Sequence, residues 1–153
     1  GLFLSTGREI SQAYPDIAFE EMIVDNCAMQ LVMNPERFDI IVTTNLFGDI
    51  LSDLCAGLIG GLVLAPGANL GHDHAIFEAV HGSAPDIAGL GIANPTALLL
   101  ATAMMLDHLG LGDAATRLRG AIKQTLTQGE CKTSDLGGDA STEQYTQALV
   151  RAL

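Results

Sequence analysis

The stretch Asn45–Asp53 (NLFGDILSD) constrains this chain more than any other, because it sets two carboxylates one helical turn apart directly behind an apolar, β-branched run. Phe38–Val42 (FDIIV), closed by the turn signal Thr43-Thr44-Asn45, predicts a strand buried on both faces. Beyond it Leu46, Ile50, Leu51, Leu54 and Leu58 recur at helical spacing, so Asp49 and Asp53, at i and i+4, lie on a common flank of a helix. Like charges at that spacing repel by roughly a few tenths of a kcal/mol unless something positive sits between them. Two readings follow. Either both are solvated first-turn acids favoured by the positive end of the helix dipole, or they are oxygen ligands of a divalent cation, since Mg²⁺ and Mn²⁺ take one or two carboxylates from a given element. A strand-to-helix junction suits the second reading, because ligands of open α/β sheets gather at the carboxyl ends of strands.

The charge balance fits a bound cation better than a polyanion. Seven Lys and Arg against 18 Asp and Glu give a net charge of −11, which excludes a basic nucleic-acid surface and attraction to anionic membrane. The longest apolar run, Ala97–Leu106, falls well short of the ~20 residues a bilayer crossing needs, and Asp107 and His108 end it. Hydrophobic residues make up 48% and charged residues 16%, rich for 153 residues. Such an excess is surface destined either for chain outside this segment or for a partner subunit. The opening at Gly1, without an initiator Met or a signal-like n-region, reads as an internal cut, so a fragment is expected. Cys27, Cys55 and Cys131 are odd in number and far apart, which implies neither a disulfide framework nor a zinc ribbon and points to the cytoplasm or an organelle matrix.

Taken in order, residues 1–17 predict a short helix ending before Pro15. Ala18–Val24 is either a strand or a helix start, and Asp25 begins a helix closed by Asn34 and Pro35. On these residues alone Asp25 reads as a helix cap before it reads as a ligand. Gly60, Gly61, Gly67 and Gly71 imply bends and close approach, and a domain crossover is placed there. His72 and His74 have no third ligand nearby and read as surface residues. Ile76, Glu78 and Val80 alternate as in a strand. His81–Gly89 (HGSAPDIAG) is either a plain turn with an aspartate or a nucleotide loop, in which small residues around Pro85 leave N–H groups free and Asp86 accepts ribose hydroxyls. Asn94 and Pro95 provide the N-cap and first residue of an apolar helix over 96–109, stopped by Gly110. An amphipathic helix over 114–128 follows, with Leu118, Ile122 and Leu126 inward and Gly129 as its stop. After a loop at Asp135–Ser141, Ser141 and Gln144 form a capping box that opens the last helix.

NLFGDILSD, AGLIGG, LAPGANLG, HGSAPDIAG and IANPTALLLA, in that order, resemble the C-terminal part of the metal-dependent β-decarboxylating dehydrogenases, the isocitrate and 3-isopropylmalate dehydrogenases. The resemblance covers essentially the whole chain. It implies an α/β, two-domain fold, with residues 1–59 completing a small, dimer-forming domain and 60–153 completing a large dinucleotide-binding domain. It further implies Mg²⁺ or Mn²⁺ held by Asp49 and Asp53, with Asp25 contributed across the interface of a homodimer, which displaces the capping reading of Asp25. The cofactor site implied comprises Glu78, His81, Gly82, Ser83, Ala84, Pro85, Asp86, Ile87 and Asn94, the last at the adenine end.

Members using NADP tend to carry Lys-Tyr where this chain has Asp86-Ile87, so the likeness is to the NAD type. A carboxylate welcomes ribose hydroxyls and repels a 2′-phosphate. The glycine-rich motif is more similar to isocitrate than to isopropylmalate enzymes, so among small hydroxy-di- and tricarboxylic acids the resemblance implies isocitrate, oxidatively decarboxylated to 2-oxoglutarate, with a 3-isopropylmalate or homoisocitrate dehydrogenase as the alternative. Val63, Leu90 and Ser134 depart from the family pattern. The family's catalytic lysine and tyrosine and its arginine clamp precede the matching segment, so no catalytic residue is expected in this one; a regulatory, non-catalytic role stays as an alternative.

Overall fold

A computed structural model describes all 153 residues, which fall into two compact units, Gly1–Cys55 and Ala56–Leu153. In the first, α1 (Leu2–Ser11) is followed by an irregular stretch, α2 (Val24–Met33), a 3-10 turn at Pro35–Arg37, and α3 (Asn45–Leu58), whose last three residues belong to the second unit. Cys27 and Leu31 on α2 and Leu51 on α3 are buried together, with Met22, Val24, Ala28, Phe38, Leu54 and Cys55 packed around them. Ion pairs from Arg8 to Glu21 and from Arg37 to Glu20 tie the irregular stretch to its flanking elements.

Two expectations fail in this unit. Phe38–Val42 forms no strand: it joins no ladder, with Ile40 84% and Val42 76% exposed. Of Ala18–Val24, residues 18–23 are likewise irregular and only Val24 belongs to a helix, as the first residue of α2. A β-branched run becomes a strand only when a neighbour completes its ladder, and no segment of this chain pairs with either one. The third correction concerns Asp25. The N-cap of α2 is Ile23, and Asp25 lies inside the first turn, its Oδ1 accepting from the Asn26 N–H at 2.6 Å.

The second unit is built on one helix. α4 (Thr96–His108) packs against α5 (Gly112–Gln128) on one side and against an antiparallel hairpin, β1 (Pro66–Leu70) and β2 (Ala75–Ala79), on another. Covered on several sides, α4 is apolar nearly all round, and its alanines Ala97, Ala101 and Ala103 are buried where small side chains let neighbours approach. The glycine and proline of β1 argue against a strand. Its partner supplies the reason for one: Pro66 pairs with Ala79 and Leu70 with Ala75, and Gly71 N–H closes the turn onto the His74 carbonyl at 2.9 Å.

Ala103, Leu118, Ala121, Ile122, Tyr145 and Leu149 form the main core, joining α4 and α5 to α6 (Thr142–Ala152). Gly129 stops α5 at φ 74°, the left-handed C-cap that favours glycine. The capping box at the start of α6 is present in both directions: Gln144 N–H donates to Ser141 Oγ, and Ser141 N–H donates to Gln144 Oε1. No helix is long and apolar enough to cross a membrane.

Candidate functional site

The acidic set lies in the first unit. The chain enters α3 at Thr44, whose carbonyl accepts from Gly48 N–H at 2.8 Å. Asp49 and Asp53 therefore fall beyond the first turn, which contains no acid, and both are exposed on one flank. The helix-dipole account fails on that placement, because the dipole's effect fades beyond the terminal turn. The chain's ion pairs use Glu21, Glu20 and Asp107, so neither Asp49 nor Asp53 is neutralised by a basic side chain. Two uncompensated carboxylates at i and i+4 are an all-oxygen donor set of the type that Mg²⁺ and Mn²⁺ prefer. Asp25 is exposed on α2. It does not complete a group of three ligands with them, and no such group of His, Cys, Asp or Glu exists within one chain.

The remaining candidates lie in the second unit. Glu78 stands exposed on β2, and its carboxylate is oriented by Asn69 of β1, whose Nδ2 donates to Oε1 at 2.8 Å. Residues 81–86 are all exposed in an irregular loop. His81 Nδ1 is 2.8 Å from the Gly82 carbonyl oxygen. A carbonyl only accepts, so Nδ1 is the donor in this contact. Ala84 has φ 39°, an uncommon value for a residue with a side chain, and the turn it forms is closed by Ile87 N–H donating to the Ala84 carbonyl at 3.1 Å. The N–H groups of Gly82, Ser83, Ala84 and Asp86 make no backbone hydrogen bond within the chain. Free N–H groups beside an exposed carboxylate suit a phosphate-bearing ligand with a diol nearby.

Asn94 closes this set. Its Oδ1 accepts from Thr96 N–H at 2.9 Å and from Thr96 Oγ1 at 2.6 Å, so it does cap α4, although the helix is bounded one residue later, at Pro95. Its Nδ2 donates to Asp135 Oδ2 at 2.8 Å. Thr96 is fully buried and its hydroxyl lies 2.8 Å from that of Tyr145. Burial pushes the pKa of the Tyr145 hydroxyl up. Sequence reasoning missed Asp135, Tyr145 and Asn69. Only the loop glycines near Asp135 gave a signal: Gly138 runs so close to Lys132 that a Cβ there would overlap the Lys132 carbonyl oxygen.

Comparison with known proteins gives the family. Residues 2–149 match the family described as isocitrate/isopropylmalate dehydrogenase, and the chain belongs to that family. It is 62% identical over its full length to an isocitrate/homoisocitrate dehydrogenase of Thermus thermophilus, of which it covers 46%. It is 54% identical, again over its full length, to a regulatory subunit of the mitochondrial NAD isocitrate dehydrogenase of Dictyostelium discoideum, covering 44% of it. Among solved structures, an isocitrate dehydrogenase from Methylococcus capsulatus superposes with a TM-score of 0.95 at 60% identity, over 99% of this chain and 45% of that one. The chain thus spans a little under half the length of these relatives, and its α/β fold is the corresponding part of theirs.

Proposed function

We propose that this chain is the C-terminal portion of an NAD- and divalent-metal-dependent isocitrate dehydrogenase, which oxidises the 2-hydroxyl of isocitrate and releases CO₂ to give 2-oxoglutarate. The observation that carries the metal half of this reading is the exposed, uncompensated pair Asp49 and Asp53 beyond the first turn of α3. These two side chains would bind the cation, with Asp25 of a second copy as the third carboxylate in a homodimer. Glu78 and the loop from His81 to Ile87 would seat the dinucleotide, with Asp86 accepting from the ribose diol and Asn94 meeting the adenine end. When bound, the cation supplies Lewis-acid polarisation of the substrate's carbonyl and NAD⁺ supplies the hydride acceptor. Residues of this chain bind and orient; none is assigned a proton-transfer role. The name of the Dictyostelium relative favours NAD and that of the Thermus relative favours isocitrate or homoisocitrate. The same reading places the protein in the bacterial cytoplasm or the mitochondrial matrix, the Dictyostelium relative being named as mitochondrial.

A second reading, a regulatory and non-catalytic role, draws on the name of the Dictyostelium relative. The presence of all three aspartates weighs against it. Initial rates of the full-length protein with Mn²⁺, comparing isocitrate, homoisocitrate and 3-isopropylmalate with NAD⁺ and NADP⁺, test both readings. Highest kcat/KM with isocitrate and NAD⁺ supports the proposal. A higher value with either other acid overturns the substrate, and no turnover of the isolated protein with normal stimulation of a catalytic partner supports the regulatory reading.

A further inference from the structure

We infer that Asp135, which nothing above places at the dinucleotide, is a positioning residue that fixes Asn94 as a one-donor reader of the cofactor's base. The inference rests on the proposed contact between Asn94 and the adenine end. A free asparagine amide presents two N–H donors and two acceptor lone pairs, and it can rotate to exchange them. Here rotation is blocked from both sides. The Thr96 backbone N–H only donates, so the atom facing it must be Oδ1, at 2.9 Å. The Asp135 carboxylate only accepts, so the atom facing it, at 2.8 Å, must be Nδ2. The Thr96 hydroxyl gives its proton to the same Oδ1 at 2.6 Å, which fills both lone pairs of that oxygen. The Tyr145 hydroxyl, 2.8 Å from Thr96 Oγ1, must then be the donor in that pair. A single directed chain results, running from Tyr145 through Thr96 and Asn94 to Asp135, and one Asn94 N–H is left over. The base must therefore present an acceptor to this position.

Asp135 is held in turn by its own loop, where Gly138 N–H donates to the Thr133 carbonyl at 3.1 Å and Ala140 N–H to the Lys132 carbonyl at 2.9 Å.

The test uses the full-length enzyme, with NADH binding followed by its fluorescence, initial rates at varied NAD⁺, and thermal melting. Asp135→Ala should weaken NADH binding and raise KM for NAD⁺ about five- to tenfold, the loss expected when one oriented hydrogen bond is gone, with kcat changed less than about twofold. Asp135→Asn, whose amide oxygen still accepts from Asn94, should recover most of that loss. The deciding variant is the exchange Asn94→Asp with Asp135→Asn, in which every internal hydrogen bond is retained with the middle donor reversed. Melting near the wild-type temperature with NADH affinity as poor as in Asn94→Ala supports the inference. Wild-type affinity in the exchange variant, or in Asp135→Ala, overturns it while leaving Asn94 as a contact. Unchanged affinity in Asn94→Ala removes the contact itself and the inference with it.

Discussion

The hydroxyl of Tyr145 on α6 lies 2.8 Å from that of Thr96 at the start of α4, a link across 49 positions of sequence between two fully buried side chains. It joins the main core to the Asn94 cap, so packing of the helices and orientation of the loop before α4 depend on the same pair. Tyr145→Phe keeps the ring in the core and removes only the donor, and should lower stability by ~1 kcal/mol at neutral pH. Burial raises the pKa of this hydroxyl above its ordinary value of about 10. The stabilisation is therefore fully present below about pH 10 and is lost as the pH climbs through the folded-state value. Thermal melting between pH 7 and strongly alkaline conditions should show the wild-type advantage over Tyr145→Phe shrinking only in that upper window. A constant gap would show that the hydroxyl is not buried as described.

The loop from Lys132 to Ala140 should respond in opposite senses to two small changes. At Gly138 a Cβ would overlap the Lys132 carbonyl oxygen, a backbone atom that cannot swing aside. Gly138→Ala should destabilise by at least ~2 kcal/mol and weaken NADH binding, because the shifted loop carries Asp135. Five residues earlier the Thr133 hydroxyl is fully buried with no hydrogen-bond partner. Replacing it with a methyl group removes an unmet polar atom, so Thr133→Val should raise stability by about 1 kcal/mol. Melting temperatures of the two variants moving in the same direction would refute the loop geometry.

Where local chemistry decides structure, the sequence was readable. Gly129, the Ser141–Gln144 box and the Leu118, Ile122, Leu126 stripe each act within one or two turns of backbone, and each is found as expected. Phe38–Val42 shows the limit. Its β-branched residues favour extended backbone, but a ladder needs a second strand, and none in this chain supplies it. Pro66–Leu70 shows the converse, since glycine and proline argue against a strand until Ala75–Ala79 is there to pair with it. The candidate site divides in the same way. Motifs in sequence order singled out Asp49, Asp53, the 81–87 loop and Asn94 as candidates. Asp135 and Tyr145 act on Asn94 and Thr96 from some forty to fifty positions away, a relationship that no local pattern carries.

The acidic pair on α3 offers a direct readout of metal binding. A ligand that binds only the folded state raises its melting temperature in proportion to occupancy. With the full-length protein, Mn²⁺ at saturating concentration should raise the midpoint by several degrees, and Asp49→Asn or Asp53→Asn should remove most of that increment and abolish metal-dependent turnover. Without metal the same variants should be as stable as the wild type or slightly more so, since each relieves a like-charge contact at i and i+4 worth roughly a few tenths of a kcal/mol. An unchanged Mn²⁺ shift, or normal activity at low Mn²⁺, would sink the assignment.

Cofactor preference should reside at Asp86 and Ile87. Asp86 is exposed and takes part in none of the chain's ion pairs, which leaves its carboxylate open to an incoming ribose. It accepts hydrogen bonds from a 2′-hydroxyl and repels a 2′-phosphate, and the repulsion weighs more because it opposes a doubly charged group. Asp86→Lys reverses that sign, and Ile87→Tyr adds a hydroxyl able to donate to the same phosphate. The double variant should lose about tenfold or more in kcat/KM for NAD⁺ and gain at least as much for NADP⁺, with the KM for the hydroxy acid little changed. Asp86→Ala separates the two effects, since removing the repulsion without supplying a cation should admit NADP⁺ only modestly while weakening NAD⁺. If the double variant kept its original preference, the loop from His81 to Ile87 would not be where the adenosine ribose lies.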